Sequence, residues 1–100
     1  MATVEVSEHQ TAPMQYGSTI PLKRLPDKNS EATTGGAGDT ITVANATKWV
    51  RIVPSADVRM AWAVNTAPND PTGNVNYTLL KSGIPETFWI DTPGTRLRFG

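Results

Sequence analysis

The chain has 100 residues, nine basic side chains against nine acidic ones, and no cysteine. This length predicts a single domain with a small core, since a chain of this size buries only about two-thirds of its extended surface. A net charge of zero argues against attraction of the whole molecule to nucleic acid or to an anionic membrane. The lack of cysteine excludes disulfide bonds and thiolate chemistry.

The first ten residues do not have the character of a secretion signal. They contain acidic residues where a signal peptide has basic ones, and they lack an apolar stretch. Along the whole sequence, no segment approaches the apolar length that a membrane-spanning helix needs. We therefore expect a protein that is made in the cytosol and has no membrane partner.

Residues 1–38 differ in composition from the remainder of the chain. Their apolar residues are scattered, they include three prolines, and they end in the low-complexity run 29–38. Such a segment buries too little apolar surface to offset the entropy lost when it becomes ordered. The composition predicts an extended N-terminal arm and Gly-rich linker over residues 1–38, followed by a β domain over residues 39–100.

The predicted arm carries isolated apolar residues that could anchor it on a neighbouring chain. Residues 3–7 alternate like a strand, and a strand added to the edge of a neighbour's sheet forms main-chain hydrogen bonds. The alternative is that the arm pairs with the sheet of its own domain. The residues of the arm that we expect to contact a partner are Val4, Val6, Tyr16, Ile20 and Leu22.

From residue 39 onward the apolar residues alternate with polar ones. Alternating runs separated by Gly and Pro, at a spacing of about ten residues, are typical of a small antiparallel sandwich or barrel. The sequence thus predicts an all-β fold of six to seven strands, preceded by the extended arm. The alternating runs lie at 41–43, 50–52, 58–64, 88–90 and 97–99.

Residues 91–94, with the sequence Asp-Thr-Pro-Gly, are typical of a tight turn. Proline pre-sets one φ angle, and Gly94 accepts the positive φ angle that a type II turn requires. Because alternating runs lie on both sides, we expect this turn to close a terminal hairpin between residues 88–90 and 97–99.

The sequence offers little that would support catalysis or metal binding. The single histidine, His9, lies in the predicted arm, where a fixed geometry with a distant serine and carboxylate is not expected. We expect this histidine to be solvated. The loop 69–74 contains one carboxylate, whereas calcium loops usually supply several, so a polar loop tip is favoured over a calcium site. We therefore expect no enzyme, no cofactor and no metal.

The alternation also assigns the side chains to two faces. If Met60, Trp62 and Phe88 point inward, the opposite face carries Trp and Arg, the residue types enriched at interface hot spots. Three interpretations compete: a protein interface, which is favoured; a solvated sheet face; and a platform for single-stranded nucleic acid, against which the zero net charge counts. The residues of this predicted face are Trp49, Arg51, Arg59, Trp89, Arg96 and Arg98.

The order of elements from residue 41 to residue 100 resembles that of tailed-phage capsid decoration (cement) proteins. The resemblance consists of a Val- and Arg-containing strand, a second strand, a segment after a polar loop, an aromatic strand and a basic-apolar ending. These parts lie at 49–53, 57–59, 79–86, 88–90 and 96–100. Residues 1–38 match no pattern of that class, which leaves the mode of anchoring open.

The resemblance implies a non-enzymatic virion structural protein on the outside of a bacteriophage capsid. Such proteins are often trimers that clamp neighbouring subunits of the major capsid protein, so the implied partners are that protein and further copies of this chain. Many weak contacts per copy would then be repeated over the shell by symmetry. The alternative is a carbohydrate- or receptor-binding β-sandwich of a virion or cell surface, in which Trp49 or Trp89 stacks on a sugar.

Overall fold

The computed structural model describes residues 2–10, 25–73 and 76–100. These residues form eight strands and one short 3₁₀ turn at Ala37–Asp39. The strands are β1 (Thr3–His9), β2 (Lys28–Thr33), β3 (Thr40–Thr42), β4 (Trp49–Pro54), β5 (Val58–Val64), β6 (Thr78–Leu80), β7 (Glu86–Trp89) and β8 (Thr95–Phe99).

The strands form two four-stranded antiparallel sheets that pack as a sandwich. The first sheet has the order β2-β1-β4-β7, and the second has the order β3-β8-β5-β6. The prediction of an antiparallel all-β fold is confirmed, and of the two predicted architectures, sandwich and barrel, the structure has the sandwich. The described part of the chain has eight strands instead of six to seven, because two of them lie within the segment that the composition assigned to an arm.

The strands β1 and β2 correct the prediction that the N-terminal segment lies outside the β domain. β1 occupies the interior of the first sheet, where Val4 pairs with Ala32 of β2 on one side and with Pro54 of β4 on the other. Composition was misleading because it averages over residues 1–38, whereas β1 by itself has the alternation of a half-buried strand. The predicted boundary at residues 38 and 39 falls between two strands of one sandwich.

The core lies between the two sheets and is built from their inward-facing residues. Even-numbered residues of β1 and β4 face inward from the first sheet, and inward-facing residues of β5 and β8 meet them from the second. Each buried aliphatic or aromatic side chain contributes roughly 1.5–3 kcal/mol by leaving water. The largest apolar side chains that are fully buried are Phe99, Ile52, Leu80, Val4, Val6, Val43 and Val50.

The predicted turn at residues 91–94 is present, but the predicted terminal hairpin is wrong. β7 pairs with β4 of the first sheet, whereas β8 lies between β3 and β5 of the second. Ile90 donates its N–H to the Lys48 carbonyl at 2.7 Å, so the chain stays with β4 until the turn begins. Gly94 has a φ of +85°, and a side chain there would collide with Asn65. The turn therefore carries the chain from one sheet to the other.

The two lateral sides of the sandwich differ. On the closed side, the edge strands β2 and β3 contact each other. On the open side, the edge strands β6 and β7 have three and four residues, whereas β5 has seven. β6 pairs only with Val58–Met60, so the C-terminal half of β5 extends beyond its edge neighbour. This difference in strand length leaves the interior accessible on the open side.

Candidate protein-binding surface on the open side

The structure divides the predicted Trp and Arg face between the two outer surfaces of the sandwich. Alternation shows whether a residue faces inward or outward on its own strand, but it does not show to which sheet the strand belongs. Because the sheets pack through their inner faces, the two groups of residues lie on opposite surfaces. The first sheet carries Trp49, Arg51 and Trp89, and the second carries Arg59, Arg96 and Arg98.

The predicted partner contacts of the N-terminal segment have two outcomes. Val4 and Val6 are buried in the core of this chain, so their side chains are not available to a partner in the folded protein. Tyr16, Ile20 and Leu22 lie outside the described residues.

Trp49 is buried and stacks on His9. The two rings are parallel within 4°, with centroids 3.8 Å apart, and the two residues are cross-strand partners of β4 and β1. Only 6% of Trp49 is exposed. This stack corrects the expectation of a solvated histidine. Trp89, the cross-strand partner of Trp49 on β7, is 59% exposed. Of the two tryptophans on the outer face, only Trp89 is therefore accessible to a partner.

Two of the predicted interface arginines make contacts within the chain. Arg98 forms a salt bridge from Nε to Asp39 Oδ2 at 3.0 Å and donates a hydrogen bond to the Pro68 carbonyl at 3.2 Å. The Arg59 guanidinium lies 4.5 Å from the centroid of the Tyr77 ring. These contacts attach the connecting segments to the outer surface of the second sheet.

An apolar cleft opens between the sheets on the open side. Its volume is about 390 Å³. β5 and β8 contribute one wall, and β7 with the residues that follow it contributes the other. We call this feature the open cleft, and its main apolar lining residues are Met60, Trp62, Val64, Phe88, Trp89 and Ile90.

Trp62 corrects the prediction of a buried core residue. The side chain is on the inner face, as the alternation predicts, since Trp62 pairs with the buried Leu97. Nevertheless, 52% of Trp62 is exposed. The reason is that β6 ends its pairing at Met60, so no strand lies beside Trp62 on that side in the described part of the chain. The unequal lengths of the apolar runs were the signal that sequence reasoning missed.

The polar groups of the open cleft are few. Thr78, Thr92 and Thr95 are among its lining residues, and Asp91 is the charged residue among the lining residues that the structure describes. Thr92 Oγ1 lies 3.4 Å from Asp91 Oδ1. The cleft therefore combines a large apolar surface with a negative charge at one end.

The backbone of β7 presents hydrogen-bonding groups at the outer edge of the sheet. The register places Ile90 opposite Lys48, and Ile90 donates its N–H to that residue. Since antiparallel ladders alternate, Glu86 and Phe88 also hydrogen-bond to β4, and the N–H and C=O groups of Thr87 and Trp89 point away from it. Within the described ranges, no strand lies beyond β7 in this sheet. Trp89 thus exposes both its ring and its main chain.

The loop that begins at residue 69 forms a local turn around Asp70. The Asp70 carboxylate accepts hydrogen bonds from the N–H of Thr72 at 3.0 Å and from its hydroxyl at 2.7 Å. These hydrogen bonds hold the pKa of Asp70 below its usual value. Asn74 lies outside the described residues. Among residues 2–10, 25–73 and 76–100, no cluster of three or more His, Cys, Asp or Glu side chains could hold a metal ion.

Glu8 is a buried carboxylate that sequence reasoning did not single out. Its side chain is fully buried on the inner face of β1, and its Oε1 accepts hydrogen bonds from the N–H of Ala44 at 2.9 Å and the hydroxyl of Thr47 at 2.8 Å. Lys28 Nζ lies 3.9 Å from Oε2. These contacts join β1 to the loop between β3 and β4. Glu8 alternates in phase with Val4 and Val6, and this phase was the available signal.

No protein-family model, no curated protein sequence and no solved structure matches this chain significantly. In the described part of the chain, no helix is long and apolar enough to span a membrane.

Proposed function

We propose that the protein is a non-enzymatic structural module that binds a larger protein assembly through the open cleft. The observation that carries this proposal is the exposure of Trp62, on the inner face of β5, and of Trp89, at the edge of the same apolar cleft. Exposed apolar clusters mark interaction sites, and tryptophan is among the residues that contribute most to binding energy at interfaces. Covering both rings would remove a large apolar area from water, which favours association.

The proposed assembly is the outside of a bacteriophage capsid, where the protein decorates the shell and clamps neighbouring major capsid protein subunits. Support comes from the resemblance described above and from the sandwich fold, which presents the aromatic segment 88–90 at the open side. A homotrimer would present three open clefts to the capsid surface at one site. Each cleft could then contribute a weak interaction, with avidity supplied by the repeated geometry.

A non-enzymatic role is consistent with the positions of the titratable groups. The His9 ring stacks on Trp49, and the Asp91 carboxylate of the open cleft has no histidine, lysine or arginine among the described lining residues. General acid–base chemistry needs such groups within hydrogen-bonding reach of each other and of a substrate.

Co-sedimentation with capsids tests the proposal. Capsids assembled from the corresponding major capsid protein are mixed with the wild-type protein, pelleted and assayed for bound protein. Trp62→Ala should lower the bound fraction strongly. Leu79→Ala is the matched control, because Leu79 is 48% exposed and lies on the outer face of the second sheet. Equal binding by wild type and Trp62→Ala, or failure of the wild-type protein to sediment with capsids, would reject the proposal.

A carbohydrate-binding role is the second candidate, and the composition of the open cleft favours it. The lining residues include Trp62, Trp89, Asp91 and Thr92, and such a combination can stack on a sugar ring and hydrogen-bond its hydroxyl groups. A glycan array probed with the wild-type protein and with Trp62→Ala tests this candidate. Binding of a defined glycan that disappears in the variant would support it, whereas no bound glycan would reject it.

A further inference from the structure

We infer that an extended peptide segment of the partner adds to the free edge of β7 and inserts one apolar side chain into the open cleft. This inference rests on the proposed function in one respect, namely that the partner is a protein. It specifies the element that receives the partner, the backbone groups that bind it and the side-chain pattern of the bound segment.

The outer edge of β7 can pair with a further strand. The N–H and C=O groups of Thr87 and Trp89 point away from β4, and no hydrogen bond to these groups occurs within the described part of the chain. An added strand can satisfy all four groups, because residues of adjacent strands exchange pairs of hydrogen bonds at every second position. The spacing of Thr87 and Trp89 supplies two consecutive pairing positions.

Phe88 lies between these two residues in β7. Phe88 faces the interior, as shown by its pairing with the fully buried Val50, and it lines the open cleft. In an added strand, the residue opposite Phe88 would point to the same face, with its Cβ about 5 Å from that of Phe88. Its side chain would therefore enter the open cleft between β7 and β5, where Trp62 forms the opposite wall.

The charge of Asp91 favours one kind of peptide sequence over another. Asp91 follows β7 at the end of the open cleft, and the described lining residues include no basic side chain to balance it. A basic residue of the peptide beside Asp91 would be attracted, and an acidic one would be repelled. The expected occupant is thus an extended segment with an apolar residue facing inward and a Lys or Arg at the end nearest Asp91.

A displayed library of random dodecapeptides, panned against the immobilised full-length protein, tests the inference. The enriched peptides should share an apolar residue at one fixed position and a basic residue near one end. A synthetic copy of the most enriched peptide should slow amide hydrogen exchange at Thr87 and Trp89. Its affinity for Thr87→Pro should fall by about tenfold or more, because proline removes one hydrogen-bond donor from the edge and leaves the pairing with β4 intact.

Thr42→Pro is the matched control for this substitution. Thr42 lies in β3, which is an edge strand on the closed side. Val43 donates its N–H to the Thr95 carbonyl of β8, and since hydrogen bonding alternates along an antiparallel strand, the N–H of the preceding residue, Thr42, points away from β8. The control should bind the peptide like wild type. Circular dichroism of both variants confirms that they are folded, and if Thr87→Pro does not fold, exchange protection of Thr87 and Trp89 in the wild-type protein decides the question.

The outcomes separate this inference from the proposed function. The inference would be overturned if Thr87→Pro bound the peptide as tightly as the wild-type protein does. It would also be overturned if the peptide protected amides other than those of β7, or if panning enriched no peptide. Co-sedimentation of Thr87→Pro with capsids at the wild-type level would also overturn it while leaving the proposed function in place. Peptide binding at β7 by a protein that does not sediment with capsids would support the inference and reject the proposed function.

Discussion

The closed and open sides of the sandwich show how one fold separates stability from binding. On the closed side, β1 is covered by β2, and the buried Glu8 is held by hydrogen bonds from the loop between β3 and β4. On the open side, short edge strands leave Trp62 half exposed and the main chain of β7 accessible. The two sides differ because the edge strands of the open side are shorter than β5 and leave part of it uncovered. This uncovered part is where a partner would bind.

The largest difference in stability is expected between substitutions of a core residue and of a cleft residue on neighbouring strands of the second sheet. Phe99→Ala should lower the free energy of unfolding by about 3–5 kcal/mol, because Phe99 is 1% exposed and its removal leaves a cavity. Trp62→Ala should cost less than about 1.5 kcal/mol, since half of that side chain is already in water. Chemical denaturation measures both values. Equal losses would show that the open cleft is closed in solution.

An intermediate effect is expected for Glu8 on the closed side. Glu8→Ala leaves the hydroxyl of Thr47 and the N–H of Ala44 without their acceptor and should cost about 1–3 kcal/mol. Glu8→Gln is the control, because its amide oxygen can accept the same two hydrogen bonds, and it should cost less. Denaturation curves of the two variants make the comparison. A smaller loss for Glu8→Ala than for Glu8→Gln would mean that the carboxylate does not hold the loop through these bonds.

The smallest effect is expected at the turn between β6 and β7. The N–H of Ser82 donates a hydrogen bond to Asp57 at 2.9 Å, and this bond, followed by the one from Lys81, lowers the pKa of the Asp57 carboxyl. Because the pKa is lower in the folded state, the stabilisation is present above the unfolded pKa and is lost as the pH falls through the folded pKa. Since Asp57 is exposed, the effect is small.

Carbon-13 NMR titration of the Asp57 carboxyl checks this prediction. Its midpoint should lie below the ordinary value for aspartate, and the midpoint should rise in Lys81→Met, which removes one of the two donors. An ordinary midpoint in the wild-type protein would indicate that the turn does not hold Asp57 in solution.

The fold class could be predicted from sequence because alternation is a local property. The inward positions of Met60 and Phe99 follow from counting along one strand. Sheet membership is not local, and this explains two errors. The predicted Trp and Arg face combined residues of both sheets, and the turn at residues 91–94 was assigned to a hairpin although it joins the sheets.

The N-terminal strand illustrates a second limit. β1 has the same alternation as the strands of the predicted β domain, but prolines and a Gly-containing run nearby lowered the average hydrophobicity of the whole segment. Averages over long windows conceal short strands. The exposure of the candidate site could not be predicted from alternation either. Trp62 is on the predicted inner face, but it is exposed because β6 and β7 are short.

Tryptophan accessibility before and after binding tests the central claim that the open cleft is the binding surface. In Trp49→Phe the tryptophan fluorescence of this chain comes only from Trp62 and Trp89. Acrylamide should quench both rings efficiently in the free protein, because each is more than half exposed. On capsids to which the variant co-sediments, quenching should fall for both rings. Unchanged quenching of the particle-bound protein would show that the open cleft faces solvent in the complex, which would contradict the claim.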